Sequence, residues 1–502
     1  MIRGACISGA WLGHFGLLEV RTWPFCRCVQ SRAGISQQQR GLSTEPSGAK
    51  FDSSSRSKAR SDGRHEIRLV EWNPVGRHNG TLRPRGERAQ IDHMNTTEYV
   101  ILGGGMVAGY AAKEMVNCGL DPGKLAIISA DSALPYERPP LSKSFLSGKD
   151  NEASLLINGR DWYREHGIEM RLRTVIEHVD PRSRRIRTGS GEEFEFQNLL
   201  LATGARARQL DCPGNELHDV FYLRSLKDSE NIRSRAVTAK QAVVIGGGFI
   251  GMEVASVLAQ KKIQTTLVIR EDRVWSRMFT PAMSAFFEQY YATRGVRIVK
   301  KGNIAALEGT EAARAVLLND GQKISCDMVI IGVGAVPVTE LFGGNGIAID
   351  NGVVVNEYLE ANHPGVYAAG DVANYPDPIF GTRRRVEHWD NAVSQGQHWA
   401  RVILGDRQPF VHVPYFFSDV FDLSYELWGD SGGSTETVVR GDLNSSSFSV
   451  WWLKDKRLVA AFVMKRPDEE RQIAPEWIKA GQTVSSENLG NPNRSVLEAM
   501  QR

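Results

Sequence analysis

Two stretches of the chain share one pattern of apolar and polar positions. In "EYVILGGGMVAGYAAKEM", from Glu98 to Met115, an apolar and partly β-branched run meets a glycine cluster and then alanine-rich helical spacing. In "QAVVIGGGFIGMEVASVL", from Gln241 to Leu258, the same order returns. Each reads as strand, tight turn and helix N-terminus. A second apolar run follows each: "KLAIISAD" ends at Asp131, and "QTTLVIRED" carries Glu271 at its end. Two further buried strands are expected, "NLLLATGARA" running into Thr203-Gly204 and "GVYAAGDVA" running into Gly370-Asp371. Near the C-terminus, "SVWWLKDKRLVAAFV" reads as a hairpin, two apolar runs joined by "KDKR" as its turn.

The turns carry the chemistry. Gly103-x-Gly105-x-x-Ala108 and Gly246-x-Gly248-x-x-Gly251 have the dinucleotide-binding spacing. The first glycine allows the tight turn, the second lets backbone N–H groups approach a pyrophosphate, and the small third residue lets helix and strand pack closely. A carboxylate at the end of the second strand can accept from ribose hydroxyls, which assigns Asp131 to the first site and Glu271, twenty residues after Gly251, to the second. Two such sites imply two dinucleotides.

Composition narrows the setting. With 502 residues the chain exceeds one ordinary core, and 41% hydrophobic with 24% charged residues is a soluble composition. No apolar run is long enough for an integral membrane segment. The net charge of +3 is uneven: residues 1–93 carry +7 (15 Lys+Arg against 8 Asp+Glu), leaving −4 for the rest, so nucleic acid is not an expected partner. Residues 1–44 contain five Arg and one acid and end in "RGLST", the composition of an organellar presequence. A secretory signal is the rival reading, because Ala5 to Val20 is largely apolar, but His14 and the later Arg weigh against it. A mitochondrial or plastid location is therefore expected, with a disordered leader to residue 93 and a cytosolic form starting at Met94 as a second product. Cys118, Cys212 and Cys326 are far apart in sequence and form neither a C-x-x-C pair nor a metal spacing, so no metal site is expected.

With the four ordered motifs in place, the chain resembles the two-dinucleotide flavoprotein superfamily of glutathione reductase from Thr97 to about Trp452. The resemblance implies an α/β fold of two Rossmann-like dinucleotide-binding domains, with an FAD domain (94–210 and 326–405) split by an inserted NAD(P) domain (211–325), and a C-terminal α+β domain (406–502). It implies FAD and NAD(P)H as cofactors, with Gly103, Gly105, Ala108, Asp131, Thr203, Gly204, Gly370 and Asp371 at the flavin dinucleotide. Gly246, Gly248, Gly251, Glu271, Arg277 and Gly334 would serve the nicotinamide side. Glu271 favours NADH, because a carboxylate binds a 2′-hydroxyl and repels a 2′-phosphate, although Arg270 and Arg273 flank it.

Within that superfamily the loop "LPYERPPLSKSFLSG" has no cysteine pair, so electrons would leave the flavin directly. The loop is similar to one in monodehydroascorbate reductases, bacterial ferredoxin-type reductases and apoptosis-inducing factors. The likeness implies that Arg138 and Lys143 lie along FAD and that Lys143 pairs with Glu253. "VEHWDNAVSQG", Val386 to Gly396, would pass beside the redox rings, with Glu387 and His388 at the nicotinamide and Trp389 at the flavin. Where plant monodehydroascorbate reductases place substrate-binding Arg and Tyr, this chain has Val393, Phe417 and Asp419. The expected activity is transfer of electrons from NADH through FAD to a one-electron acceptor, either a small molecule or a small redox protein, with the ascorbyl radical bound weakly. A quinone- or ferredoxin-type reductase and a redox-responsive interaction protein are the alternatives.

Overall fold

The computed structural model describes residues 95–500, so the expected leader and Met94 lie outside the described residues. The first glycine pattern forms strand Asn95–Leu102 and helix Met106–Asn117. That strand is central in a sheet where Leu125–Ile128 and Glu193–Leu201 pair parallel to it on either side. Val366–Ala368 joins the far edge of Glu193–Leu201, also parallel, so a segment 165 residues later in the chain completes the first domain's sheet. Leu125–Ile128, Val366–Ala368 and the C-terminal halves of the other two strands, Tyr99–Leu102 and Leu199–Leu201, are continuously buried because both faces are covered there, whereas the first half of Glu193–Leu201 alternates.

The second glycine pattern forms strand Gln241–Ile245 and helix Phe249–Gln260. Its parallel sheet runs Val296–Val299, Gln264–Val268, Gln241–Ile245, Met328–Ile331, Val220–Tyr222. Met328–Ile331 lies beyond the boundary expected at 325 and pairs with Gln241–Ile245, so the inserted domain is longer than the sequence suggested. The chain crosses between the domains on an antiparallel pair, Ala205–Ala207 outward and Ala335–Pro337 returning. The physical boundaries are there, in place of 210 and 325.

The C-terminal domain is a five-stranded antiparallel sheet with helix Asp468–Ala480 on one face. Its expected hairpin is present, Phe448–Lys454 with Arg457–Met464, and Asp455 and Lys456 take φ of 51° and 64° in the turn. Left-handed values at both turn residues match the twist of the flanking strands. The sheet's other face packs on the inserted domain through Trp275, Phe279 and Phe287 against Tyr425 and Phe462. This shared aromatic core brings strand Tyr415–Val420 against helix Phe249–Gln260.

Candidate functional site

A cavity of about 600 Å³ is lined at once by Gly103, Gly105, Gly248 and Gly334, from both nucleotide domains. The glycines are of two kinds. At Gly103 (φ +124°) a Cβ would fall 2.2 Å from the Ala202 carbonyl oxygen, and at Gly246 (φ +118°) the same distance from that of Gly332. At Gly251 it would meet the Gly246 carbonyl oxygen at 2.0 Å, and Ala108 is fully buried between helix and sheet. These positions are small because protein backbone is close. Gly105 and Gly248 have extended backbones at helix N-termini, where a Cβ would touch only Arg138 Nη2 (3.7 Å) or nothing within 4 Å. Here the space is left for a ligand.

Arg138 is enclosed above Gly105 and donates to the Arg224 carbonyl oxygen, but it has no carboxylate partner among the described residues. Burial first, and then the neighbouring Arg224, pull its guanidinium below the usual range. A cation in that position, beside convergent N–H groups of a helix N-terminus, fits the pyrophosphate of FAD. Asp131 lines the same cavity while accepting from Ala133 N (3.1 Å) and the Tyr136 hydroxyl (3.3 Å). Asp371 Oδ2 takes a 2.6 Å ion pair from Arg224 Nη2, and Gly204 (φ +67°) lies beside Arg224. Thr203 reaches the cavity, but its hydroxyl ties back to the Val338 carbonyl at 2.8 Å. Arg224 escaped sequence reasoning, since nothing in "YLRSLKD" distinguishes a solvated arginine from one aimed at a motif 147 residues away.

Lys143 and Glu253 do meet, Nζ to Oε1 at 2.9 Å, with Glu253 only 3% exposed. Ser142 donates to Glu253 Oε2, and Ser418 of the C-terminal domain donates to Oε1 at 2.6 Å. Neither serine was singled out from sequence. The Lys143 ammonium also stands 5.2 Å from the centre of the Phe417 ring.

"VEHWDNAVSQG" forms the start of helix Trp389–Ile403, with the His388 ring accepting from Asp390 N as its N-cap. His388 packs on Phe416 and Phe417, and burial pushes its pKa from 6.5 to about 4, so it is neutral at physiological pH. Glu387 lines the cavity, but its carboxylate is turned to Arg385, 2.6 Å away. Trp389 donates from Nε1 to Glu137 and meets Phe417 edge-on, ring centres 6.0 Å apart. Glu137 also accepts from the Tyr110 hydroxyl, and burial raises its pKa. Gln395 accepts from Gly370 N at 2.7 Å and Asn391 donates to the Val386 carbonyl at 3.1 Å. The polar mixture of the stretch thus caps a helix, holds the Gly370-Asp371 turn and walls the cavity.

Glu271 and Arg277 lie outside this cavity, on the loops after strand Gln264–Val268. Glu271 pairs loosely with Arg270 (3.3 Å), and Arg277 is exposed with no partner among the described residues. Arg273, one of the two arginines that flank Glu271 in sequence, binds the carbonyls of Phe279 and Ser276 and the Ser284 hydroxyl, so its donors hold the loop. The run Arg383–Arg385 is spent likewise: on the Val355 and Asn374 carbonyls, on Asp377, and on Glu387. Cys118, Cys212 and Cys326 are free thiols, and none lines the cavity.

The described residues contain no helix long and apolar enough to cross a membrane. Residues 97–396 match the pyridine nucleotide-disulphide oxidoreductase family and residues 415–500 match the reductase C-terminal domain. The seedling isozyme of monodehydroascorbate reductase from Cucumis sativus is 35% identical across 78% of this chain and 96% of its own. The Solanum lycopersicum enzyme of that name is 37% identical across 75% and 93%. Similar plant relatives include peroxisomal forms from Oryza sativa and Arabidopsis thaliana. Among solved structures, putidaredoxin reductase in its covalent complex with putidaredoxin superposes with a TM-score of 0.77 at 30% identity, over 80% of this chain and 98% of that one. A ferredoxin reductase from Rhodopseudomonas palustris gives 0.77 at 30%, over 81% and 100%. The chain belongs to the pyridine nucleotide-disulphide oxidoreductase family and is an FAD-dependent NAD(P)H oxidoreductase.

Proposed function

We propose that the protein passes electrons from NADH through FAD to a small one-electron acceptor, as a monodehydroascorbate reductase-like enzyme with reduced affinity for anionic acceptors. One observation supports direct transfer above the others: a single cavity joins both glycine turns, and no cysteine lines it. Bound FAD supplies the conversion between paired and single electrons. The chain's own residues bind and orient. Gly105 and Arg138 would hold the pyrophosphate, Asp131 and Asp371 would accept from a ribose and a ribityl chain, and Gly248 would admit the second dinucleotide. Lys143, held by Glu253, places a positive charge on the wall, while Trp389 and Phe417 form an apolar face that excludes water. His388, neutral, adds no charge to that face. Glu271 supports NADH over NADPH.

The acceptor end is poor in free cations. Lys143 and Arg224 are each paired with a carboxylate, Arg384 pairs with buried Asp377 and Arg385 with Glu387, and Asp419 is exposed with no side-chain partner among the described residues. Neutral quinones therefore suit this site better than an ascorbyl radical anion. Steady-state assays with NADH test the reading: quinone reduction should exceed ascorbyl-radical reduction in kcat/KM, and the reverse order would remove the argument from charge. A ferredoxin-type reading draws on the Trp389-x-Asn391-Ala392-x-x-Gln395 helix start and on the neighbour bound to putidaredoxin. Saturable reduction of a small iron–sulfur protein would decide for it. A mitochondrial or plastid address for residues 1–44 is part of the proposal, and imaging of a fluorescent fusion of the full chain tests it.

A further inference from the structure

The C-terminal domain reaches the redox cavity through one strand. Side chains alternate along Tyr415–Val420, so Phe416 and Ser418 face the same way. Phe416 lies parallel to Phe249, ring centres 5.9 Å and planes 5° apart. Ser418, with no exposed surface, donates to Glu253 Oε1 at 2.6 Å. Lys143 pairs with that same oxygen at 2.9 Å, and Ser142 holds the other. The carboxylate therefore has donors on both oxygens, drawn from the FAD domain and the C-terminal domain, while it belongs to the inserted domain.

A glutamate's terminal torsion is broad and roughly two-fold, so a lysine alone leaves the carboxylate plane poorly defined. A hydroxyl on each oxygen removes that freedom and decides which lone pairs face Lys143. Among the described residues Lys143 has no other ion-pair partner, and it lines the cavity. We propose that Ser418 is a positioning residue which, by orienting Glu253, fixes where the positive charge of Lys143 stands at the flavin and so helps set the flavin's midpoint potential. The inference rests on the reading of the cavity as the flavin site. It gives the C-terminal domain a part in redox tuning as well as in packing.

Reductive titration of the purified holoprotein against a reference dye measures the potential without NADH or any acceptor. Ser418→Ala removes a donor from the oxygen that faces Lys143 and leaves more of the Glu253 charge uncompensated. Electron-rich reduced flavin is then disfavoured, and its formation constant should fall about tenfold, a shift of about 30 mV to the negative for a two-electron couple. Ser142→Ala, acting on the other oxygen, should shift it in the same direction and serves if the first variant folds badly. Ser418→Thr keeps the hydroxyl and should return the parent's potential. An unchanged potential in the alanine variants, while Lys143→Met moves it, overturns the proposal. So do equal shifts in Ser418→Ala and Ser418→Thr, which would mean packing alone. A parent protein that retains no FAD would instead overturn the reading of the cavity.

Discussion

The two glycines that face the cavity can be separated by one pair of substitutions. Gly105 and Gly248 have φ of −90° and −86° with extended ψ, so valine can adopt either conformation without backbone strain. Neither new Cβ would meet protein closer than Arg138 Nη2 at 3.7 Å. The fold should lose no more than about 1 kcal/mol, the effect of an aliphatic residue at a helix N-cap. Binding should lose far more, because the branched side chain keeps the backbone N–H groups from a pyrophosphate. Two charge-assisted hydrogen bonds at roughly 1.5–3 kcal/mol each amount to about 3–6 kcal/mol, or roughly 10²–10⁴ in affinity. Gly105→Val should therefore purify folded and colourless. Gly248→Val should stay yellow, with its flavin no longer reduced by NADH at concentrations that saturate the parent. The assay is flavin absorbance per mole of protein, then stopped-flow reduction, with thermal unfolding as the control. Gly103→Val provides the contrast, since its φ of +124° and the 2.2 Å approach to Ala202 predict misfolding. If Gly105→Val and Gly248→Val lose the same function, the two sites are wrongly assigned.

Glu271→Ala should raise the NADPH/NADH ratio of kcat/KM by roughly two- to fivefold, a modest change because Glu271 and Arg270 are screened by solvent; an unchanged ratio would mean that Glu271 does not see the adenosine ribose. His398 is 8% exposed, and burial followed by repulsion from Arg401 lowers its pKa from 6.5 to about 4. The unfolded chain binds that proton first as pH falls, so stability should decline between pH 6.5 and about 4, by up to about 3 kcal/mol at 1.36 kcal/mol per pKa unit. His398→Gln should flatten urea-midpoint curves across that window, and equal slopes in parent and variant would refute the assignment. Installing Arg at Val393 and Asp419 together with Phe417→Tyr should raise ascorbyl-radical reduction selectively; a parallel rise with quinones would show that charge is not what discriminates.

Much of this protein was legible before folding because its constraints are local. A dinucleotide turn needs its glycines within a few residues of one another, so Gly103, Gly105, Gly246 and Gly248 announce two sites wherever the domains end up. The short apolar runs that lead into them, Tyr99–Leu102 and Ala242–Ile245, reveal parallel sheets for the same reason, since both faces must be covered. The Lys143–Glu253 pair was legible only through the resemblance, because 110 residues separate its members.

What tertiary structure alone decided are the partners chosen by long-range packing. Whether an arginine is free or spent depends on which carbonyls the fold carries past it, and Arg273, Arg384 and Arg385 proved to be spent. The boundary near 335 follows from Met328–Ile331 finding Gln241–Ile245, a pairing that no local pattern encodes. Ser418 reads in sequence as an ordinary strand serine. It reaches Glu253, 165 residues away, because an aromatic core between two domains seats its strand there, and the energy that fixes it comes from surface buried elsewhere.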